Sequence, residues 1–339
     1  MSNCRILVLG SGNFGTALAL HLSKKGEDVT ILTRHDMVAR SINENHVNPK
    51  YLSQISLPAN LKAISSEQSA DLNTFGMIVL AVPTQFLRTS LESIADTINE
   101  DAIIVCASKG IEIGTLQFPM TIVEEVLPQI NSKQLSILSG PSFAIEVAQA
   151  APTSVSIASI DESTSKTVQK TFHTKNFRAY TSNDPMGLEV AGALKNVVAL
   201  ASGATKGMGM ENNAWAALLT RGLAEITRVG MALGCSPVTF SGLGGVGDLF
   251  LTCTSEKSRN FRVGFGIGKG QDFVDVIKNL GSVAEGVTTA KSAYQLSQRL
   301  KVDTPIINTV YSVIYEKKPL QIAVAELLER EMKPEITYP

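Results

Sequence analysis

No cysteine pair, no histidine cluster, no block of like charge and no long apolar run marks this 339-residue sequence, and each gap removes a class of protein. Cys4, Cys106, Cys235 and Cys253 show no C-x-x-C spacing, and three of the four lie in apolar segments, where free buried thiols are expected. A disulfide framework is excluded, and a reducing, cytoplasmic compartment fits. His21, His35, His46 and His173 lack the i, i+4 or clustered spacing of zinc sites, so no catalytic metal is expected. Thirty basic residues against thirty-one acidic ones leave a net charge of -1, so any anion must be held by a few local cations, and no nucleic-acid-binding face is expected. The N-terminal "MSNCRILVLGSGNFG" meets a glycine turn after about five apolar residues, too few for a signal-peptide core. No apolar run approaches the ~18 residues a membrane span needs.

Hydrophobic residues make up 44% of the chain and charged residues 18%, which suits large cores, and the length exceeds what one core usually organises. The stretches 5–10, 28–34, 77–83, 102–108 and 134–140 are short and β-branched, with the continuous apolarity of strands buried on both faces. "TSVSIAS" and "FRAYTS" extend the same sheet. Helical patterns at 14–25 and 84–98 between strands give βαβ units and an α/β, Rossmann-like doubly wound sheet. After "SNDPMG" the strand pattern stops, and helical periodicity runs through 188–206, 213–233, 259–269, 288–300 and 305–315. The expectation is a Rossmann-like domain over 1–185 and an all-helical domain over 186–339, closely packed with a cleft between them. The small apolar residues of the second half suit a homodimer interface and a monomer core equally.

"GSGNFG" places Gly10, Gly12 and Gly15 in a G-x-G-x-x-G turn between a strand and a helix, where glycines allow a pyrophosphate to approach the helix N-terminus. Alternatives are a nucleoside site or a purely structural turn. Nineteen residues past Gly15, where an NAD-specific fold places an acid on the ribose, stands Arg34. A guanidinium there pairs with a 2′-phosphate, which points to NADP(H), with NAD(H) also accepted. The competing reading leaves Arg34 in solvent and puts Asp36 on the ribose.

Three further segments supply cleft chemistry. "ASKG" puts Lys109 just past a strand's carboxyl end, and "SGPSFAIEV" does the same with Gly140, Pro141 and Ser142, the serine being placed to N-cap the next helix. "VAGALKNVVALASG" carries Lys195 among Ala191, Val198 and Ala199 on one helical face, so its ammonium either snorkels outward or points into a cleft. Burial there brings a lysine toward ~7 to 8, a range suited to proton exchange with an alcohol. Asp248, the only acid between Glu225 and Glu256, needs a cationic partner in so apolar a segment, and Lys195 is the candidate. Ser258, Arg259 and Asn260 offer a hydroxyl, a planar fork and an amide at a helix start, which suits a phosphate or an ordinary cap.

With "GSGNFG", "ASKG", "SGPSFAIEV", "GALKNV", "GLGGVGDLFLTC", "SRN", "AEGVTT" and "TPI" in order along nearly the whole chain, the sequence resembles the bacterial NAD(P)-dependent glycerol-3-phosphate dehydrogenases. The resemblance implies hydride transfer between NAD(P)H and dihydroxyacetone phosphate, giving sn-glycerol 3-phosphate for phospholipid head groups. It implies Lys195 as the proton-exchanging residue, and Lys109, Gly140, Ser142, Lys195, Asp248, Ser258, Arg259 and Asn260 around the substrate. It also implies Gly10, Gly12, Asn13, Phe14, Gly15, Arg34, Lys109, Ala144, Arg259, Val283 and Glu285 around the cofactor. Phe14 stands where related chains also carry tryptophan or tyrosine. A 3-hydroxyacid or 6-phosphogluconate type dehydrogenase and a dinucleotide-sensing module are the competing readings.

Overall fold

The computed structural model describes residues 5–66, 71–280, 283–332 and 334–335. Cys4 therefore lies outside the described residues, while Cys106, Cys235 and Cys253 are buried and unpaired.

Eight strands form one sheet: β1 (Ile6–Leu9), β2 (Val29–Thr33), β3 (Lys62–Ser65), β4 (Met77–Leu80), β5 (Ile103–Cys106), β6 (Leu135–Ser139), β7 (Thr153–Ala158) and β8 (Phe177–Ser182). Their spatial order is β3-β2-β1-β4-β5-β6-β7-β8. The first six run parallel; β7 pairs antiparallel with β6 and parallel with β8. The alternation of β1 feeds two cores: Ile6 and Val8 face one layer of helices, Leu7 and Leu9 the other. Leu9 lies level with Leu32 and Leu80, and Leu80 with Cys106, so the carboxyl ends of the central strands share one edge. Strand order reverses between β1 and β4, and the crevice beyond that reversal is where ligands bind open α/β sheets.

The connecting helices are α1 (Asn13–Lys25), α2 (Asp36–Asn45), α3 (Leu87–Glu92), α4 (Pro119–Val126), α5 (Ala144–Ala148) and α6 (Glu162–Phe172). The helix expected over 84–98 is broken: 3-10 turns at Thr84–Phe86 and Ala95–Thr97 flank a short α3. Thr89, Ser93 and Thr97 each donate to the carbonyl three residues back, at 3.2, 2.8 and 2.9 Å, and such local bonds compete with a continuous helical ladder.

Beyond the sheet come α7 (Pro185–Gly207), α8 (Asn212–Ala232), α9 (Asp248–Thr254), α10 (Arg259–Gly268), α11 (Phe273–Leu280), α12 (Glu285–Leu300), α13 (Pro305–Tyr315) and α14 (Leu320–Leu328). The five helices expected here correspond to α7, α8, α10, α12 and α13. The long α7 is apolar on nearly every side, which marks a helix enclosed by others. Asp184 caps it, accepting from Gly187 N at 2.9 Å, and Pro185 takes the first position, where no N–H is needed. Glycines let α10 press against it: a Cβ on Gly203 would meet Phe261 O at 2.0 Å, and one on Gly264 would meet Leu200 O at 1.9 Å. Among the described residues no helix is long and apolar enough to cross a membrane, and no cluster of His, Cys, Asp or Glu is arranged to hold a metal ion.

Buried Glu225 ties α8 to α13. Its carboxyl accepts from Ile306 N at 2.7 Å and Ile307 N at 3.1 Å, two donors that α13 cannot satisfy itself. Burial outweighs those hydrogen bonds and raises the group from 4.5 to about 7. With the folded value above the unfolded one, the stability it contributes is full below 4.5 and is lost as pH rises through about 7. Glu225→Gln, neutral throughout, should therefore have a Tm that gains on wild type as pH rises from 4.5 to 7.5, which differential scanning calorimetry reads directly.

Candidate active site

Lys195 sits three turns into α7 with its side chain buried, and its amine has two partners on α9. Nζ lies 2.5 Å from Asp248 Oδ1 and donates to Thr252 Oγ1 at 2.8 Å. Asp248 opens α9, so Thr252, four residues on, lies on the same face. Lys109 arrives from the other half of the molecule, past the end of β5, and its Nζ meets Asp248 Oδ2 at 2.7 Å. Two ammonium groups thus share one carboxylate that is 2% exposed. The expected Lys195–Asp248 pair is present, and Lys109 joins it.

The electrostatics follow from this sharing. Burial draws Lys195 down from 10.5 to about 8; Asp248 opposes the shift and Lys109 adds to it. Burial alone would raise Asp248, but Lys109 and Lys195 outweigh it and hold the carboxyl below its usual range. Glu285, at the start of α12, is raised by desolvation despite Arg259, Lys109 and Lys195 nearby. Lys109, Val283 and Glu285 line one cavity of about 260 Å³ together with Pro83, Thr84 and Phe86.

The glycine turn has the form its pattern predicts. Gly10 adopts φ 113° against Ala81, where a Cβ would meet the carbonyl oxygen at 2.7 Å, and a Cβ on Gly15 would meet Gly10 O at 2.1 Å. A Cβ on Gly12 would meet nothing within 4 Å. Gly12 caps α1 without a side-chain hydrogen bond, and the first turn, beginning at Asn13 and Phe14, holds no acid. Its N–H groups therefore remain available to an anion. Phe14 and Ala144 are partly buried against the adjoining core.

Arg34 at the end of β2 is exposed, with its guanidinium 5.8 Å from the Phe86 ring centre. His35 Nε2 accepts from Arg34 Nε and faces Lys50 Nζ, each at 3.4 Å. Desolvation, then Lys50 and Arg34, keep the imidazole below its ordinary value. Asp36 pairs with Arg40 and is 3.5 Å from Ser65 Oγ.

One expectation needs correction. Ser142 does not cap α5: the cap position is Phe143, and the Ser142 hydroxyl turns back to donate to Gly140 O at 2.9 Å. Gly140, at φ 149°, passes so close to β7 that a Cβ would meet Val155 Cα at 2.9 Å, and this sharp turn displaces the serine from the cap. Ser258, Arg259 and Asn260 open α10 as expected, and two of them also hold partners within the fold. Ser258 Oγ accepts from Phe261 N at 3.2 Å. Asn260 Nδ2 donates to Asn196 Oδ1 at 2.9 Å while its Oδ1 accepts from Gly286 N at 2.9 Å, joining α7, α10 and α12.

Models of two family segments match the chain: the NAD-dependent glycerol-3-phosphate dehydrogenase N-terminus over residues 5–165 and the C-terminus over 184–325. The chain belongs to this family. It is 47% identical over 332 residues to the glycerol-3-phosphate dehydrogenase [NAD(P)+] of Anaeromyxobacter sp. strain K, covering 98% of this chain and 100% of the relative. The Halalkalibacterium halodurans enzyme of the same name is 44% identical, with 98% and 95% covered. The crystal structure of glycerol-3-phosphate dehydrogenase from Coxiella burnetii superposes with a TM-score of 0.91 at 34% identity, covering 97% of this chain and 99% of that one. D-mandelate dehydrogenase, at 15% identity and a TM-score of 0.62 over 92% and 98% of the two chains, shares the fold alone.

Sequence reasoning missed four residues of the site. Thr252 was legible only through its i, i+4 spacing from Asp248 had α9 been recognised as a helix. Phe86 has a weak signal, an aromatic just past a strand end, whereas His35 and Lys50 meet only through the fold. Removing the shared anion should expose the asymmetry of the cluster. Asp248→Asn should cost about 3–5 kcal/mol in denaturant unfolding, because buried Lys195 and partly buried Lys109 both lose their counter-charge. Lys195→Met should cost less, since Asp248 keeps Lys109.

Proposed function

We propose that this chain catalyses reversible hydride transfer between NAD(P)H and dihydroxyacetone phosphate, forming sn-glycerol 3-phosphate for glycerophospholipid synthesis. NADP(H) is the preferred cofactor and NAD(H) is also accepted. Residues 1–185 act as the dinucleotide domain and 186–339 as the substrate domain, in a cytoplasmic homodimer. The observation that carries this reading is the Lys195–Asp248–Lys109 cluster, which joins a side chain from the sheet's carboxyl edge to two from the helical half.

The residues present fit a dinucleotide: the bare face of Gly12, the uncapped first turn of α1 and the cations around His35 suit a pyrophosphate and a 2′-phosphate. Gly10, Gly12, Asn13, Phe14, Gly15, Arg34, Ala144, Val283 and Glu285 would hold it, with Lys109 and Arg259 facing both ligands. When bound, it supplies the hydride for ketone reduction. Lys195 donates its proton to the carbonyl oxygen and recovers one in alcohol oxidation. Asp248 and Thr252 hold the amine in place, Lys109 adds positive charge beside the developing alkoxide, and Arg259 with the Ser258 hydroxyl proton binds the phosphate.

The deciding assay is NADPH consumption with dihydroxyacetone phosphate, repeated with NADH; activity on a carboxylate substrate alone would contradict the reading. Lys195→Ala should abolish turnover while NADPH binding, measured by fluorescence titration, stays near wild type. Reduction needs the ammonium and oxidation the free amine. The kcat for reduction should therefore fall as pH rises through about 8, and that for oxidation should rise. Arg34→Ala and Lys50→Ala should each raise KM for NADPH about tenfold, with little change for NADH, since only the 2′-phosphate offers them a charge-assisted contact. Equal effects on both cofactors would remove that assignment.

A further inference from the structure

Lys195 is not the only side chain that α7 sends to α9. Ser202 lies seven residues further on, which returns to the same helical face. Its Oγ, fully buried, donates to Cys253 O at 2.7 Å, near the end of α9. The last carbonyls of a helix this short have no partner within it, so the serine satisfies one of them. The same Oγ accepts from Trp215 Nε1 of α8 at 2.6 Å, and Lys206 Nζ covers the indole 4.0 Å from the ring centre. Giving its proton to one helix and receiving one from another, the hydroxyl has its orientation set.

We propose that Ser202 and Trp215 are positioning residues that clamp the last turn of α9 to α7 and so hold Thr252 and Asp248 against Lys195. Thr252 directly precedes Cys253, so a shift of the Cys253 carbonyl carries the Thr252 hydroxyl with it. Neither clamp residue donates to Lys195 or Asp248; both act through α9. The proposal rests on Lys195 as the proton-exchanging group, and misplacement of such a group by about 1 Å can cost ~100-fold in rate.

The test uses full-length Ser202→Ala, Trp215→Phe and the double variant. In ketone reduction with NADPH, each single variant should lower kcat about tenfold, part of the loss that full misplacement would bring, and leave KM for NADPH within about twofold. The pH midpoint of kcat should move down by about half a unit, because a slackened Asp248 does less to retain the proton on Lys195. The double variant should be no worse than the poorer single one, since both act through one hydroxyl. Trp215 is the only tryptophan in the chain, so its emission should also shift in Ser202→Ala, where the indole N–H loses its acceptor. Wild-type kcat and midpoint in the folded single variants would overturn the clamp, as would a kcat loss that merely tracks a fall in Tm with the midpoint unmoved. If the wild-type protein does not reduce dihydroxyacetone phosphate, the activity reading fails separately. The Lys195 midpoint measured by NMR of ¹³C-labelled lysine then decides the clamp by the same downward shift or its absence.

Discussion

One carboxylate shared by two ammonium groups is the constraint around which the rest is arranged. Asp248 is buried deeply enough that it stays ionised only beside cations, and Lys195 lies in surroundings dry enough to weaken its hold on a proton. With both lysines protonated the cluster carries one spare positive charge, which favours a substrate that brings an anion or develops one. An amine at about 8 sits close enough to neutrality to give and regain a proton.

This arrangement determines what the surrounding chain must supply. Lys109 can reach Asp248 only because the carboxyl ends of the central strands share an edge and the helical half abuts that edge. The enclosure of α7 explains its small residues: Gly203 and the facing Gly264 permit near backbone contact with α10. Asn196, beside Lys195 in sequence, anchors α10 and through Asn260 the start of α12, which carries Glu285. The polar residues of an otherwise apolar helix are thus divided between chemistry and alignment.

Much of this was legible in the residues because the signals were local. The doubly buried strands, the glycine turn and the 3.6-residue periodicity of α7, α8, α10, α12 and α13 each depend on neighbours in sequence. The edge strand β3 escaped notice because it opens on exposed Lys62 and is buried only at alternate residues, without the continuous apolar run of the central strands. The antiparallel entry of β7 leaves no mark on its own side chains, since burial looks the same in either direction. Asp248 was recognised as needing a cation, but Lys109 as its second partner is 139 residues away, and only the fold brings them together. Ser142 and Asn260 carry partners that the sequence does not reveal: the fold turns the Ser142 hydroxyl back onto Gly140 and sets the Asn260 amide at a helix junction.

The central claim is that the Lys195 amine faces the reacting carbonyl. A crystal structure of the ternary complex with oxidised cofactor and the substrate alcohol tests it most directly. The account predicts the reacting hydroxyl within hydrogen-bond reach of Lys195 Nζ, at about 2.6–3.2 Å, with Asp248 still bound to the amine. A substrate hydroxyl held elsewhere, with Nζ engaged only by Asp248 and Thr252, would contradict it.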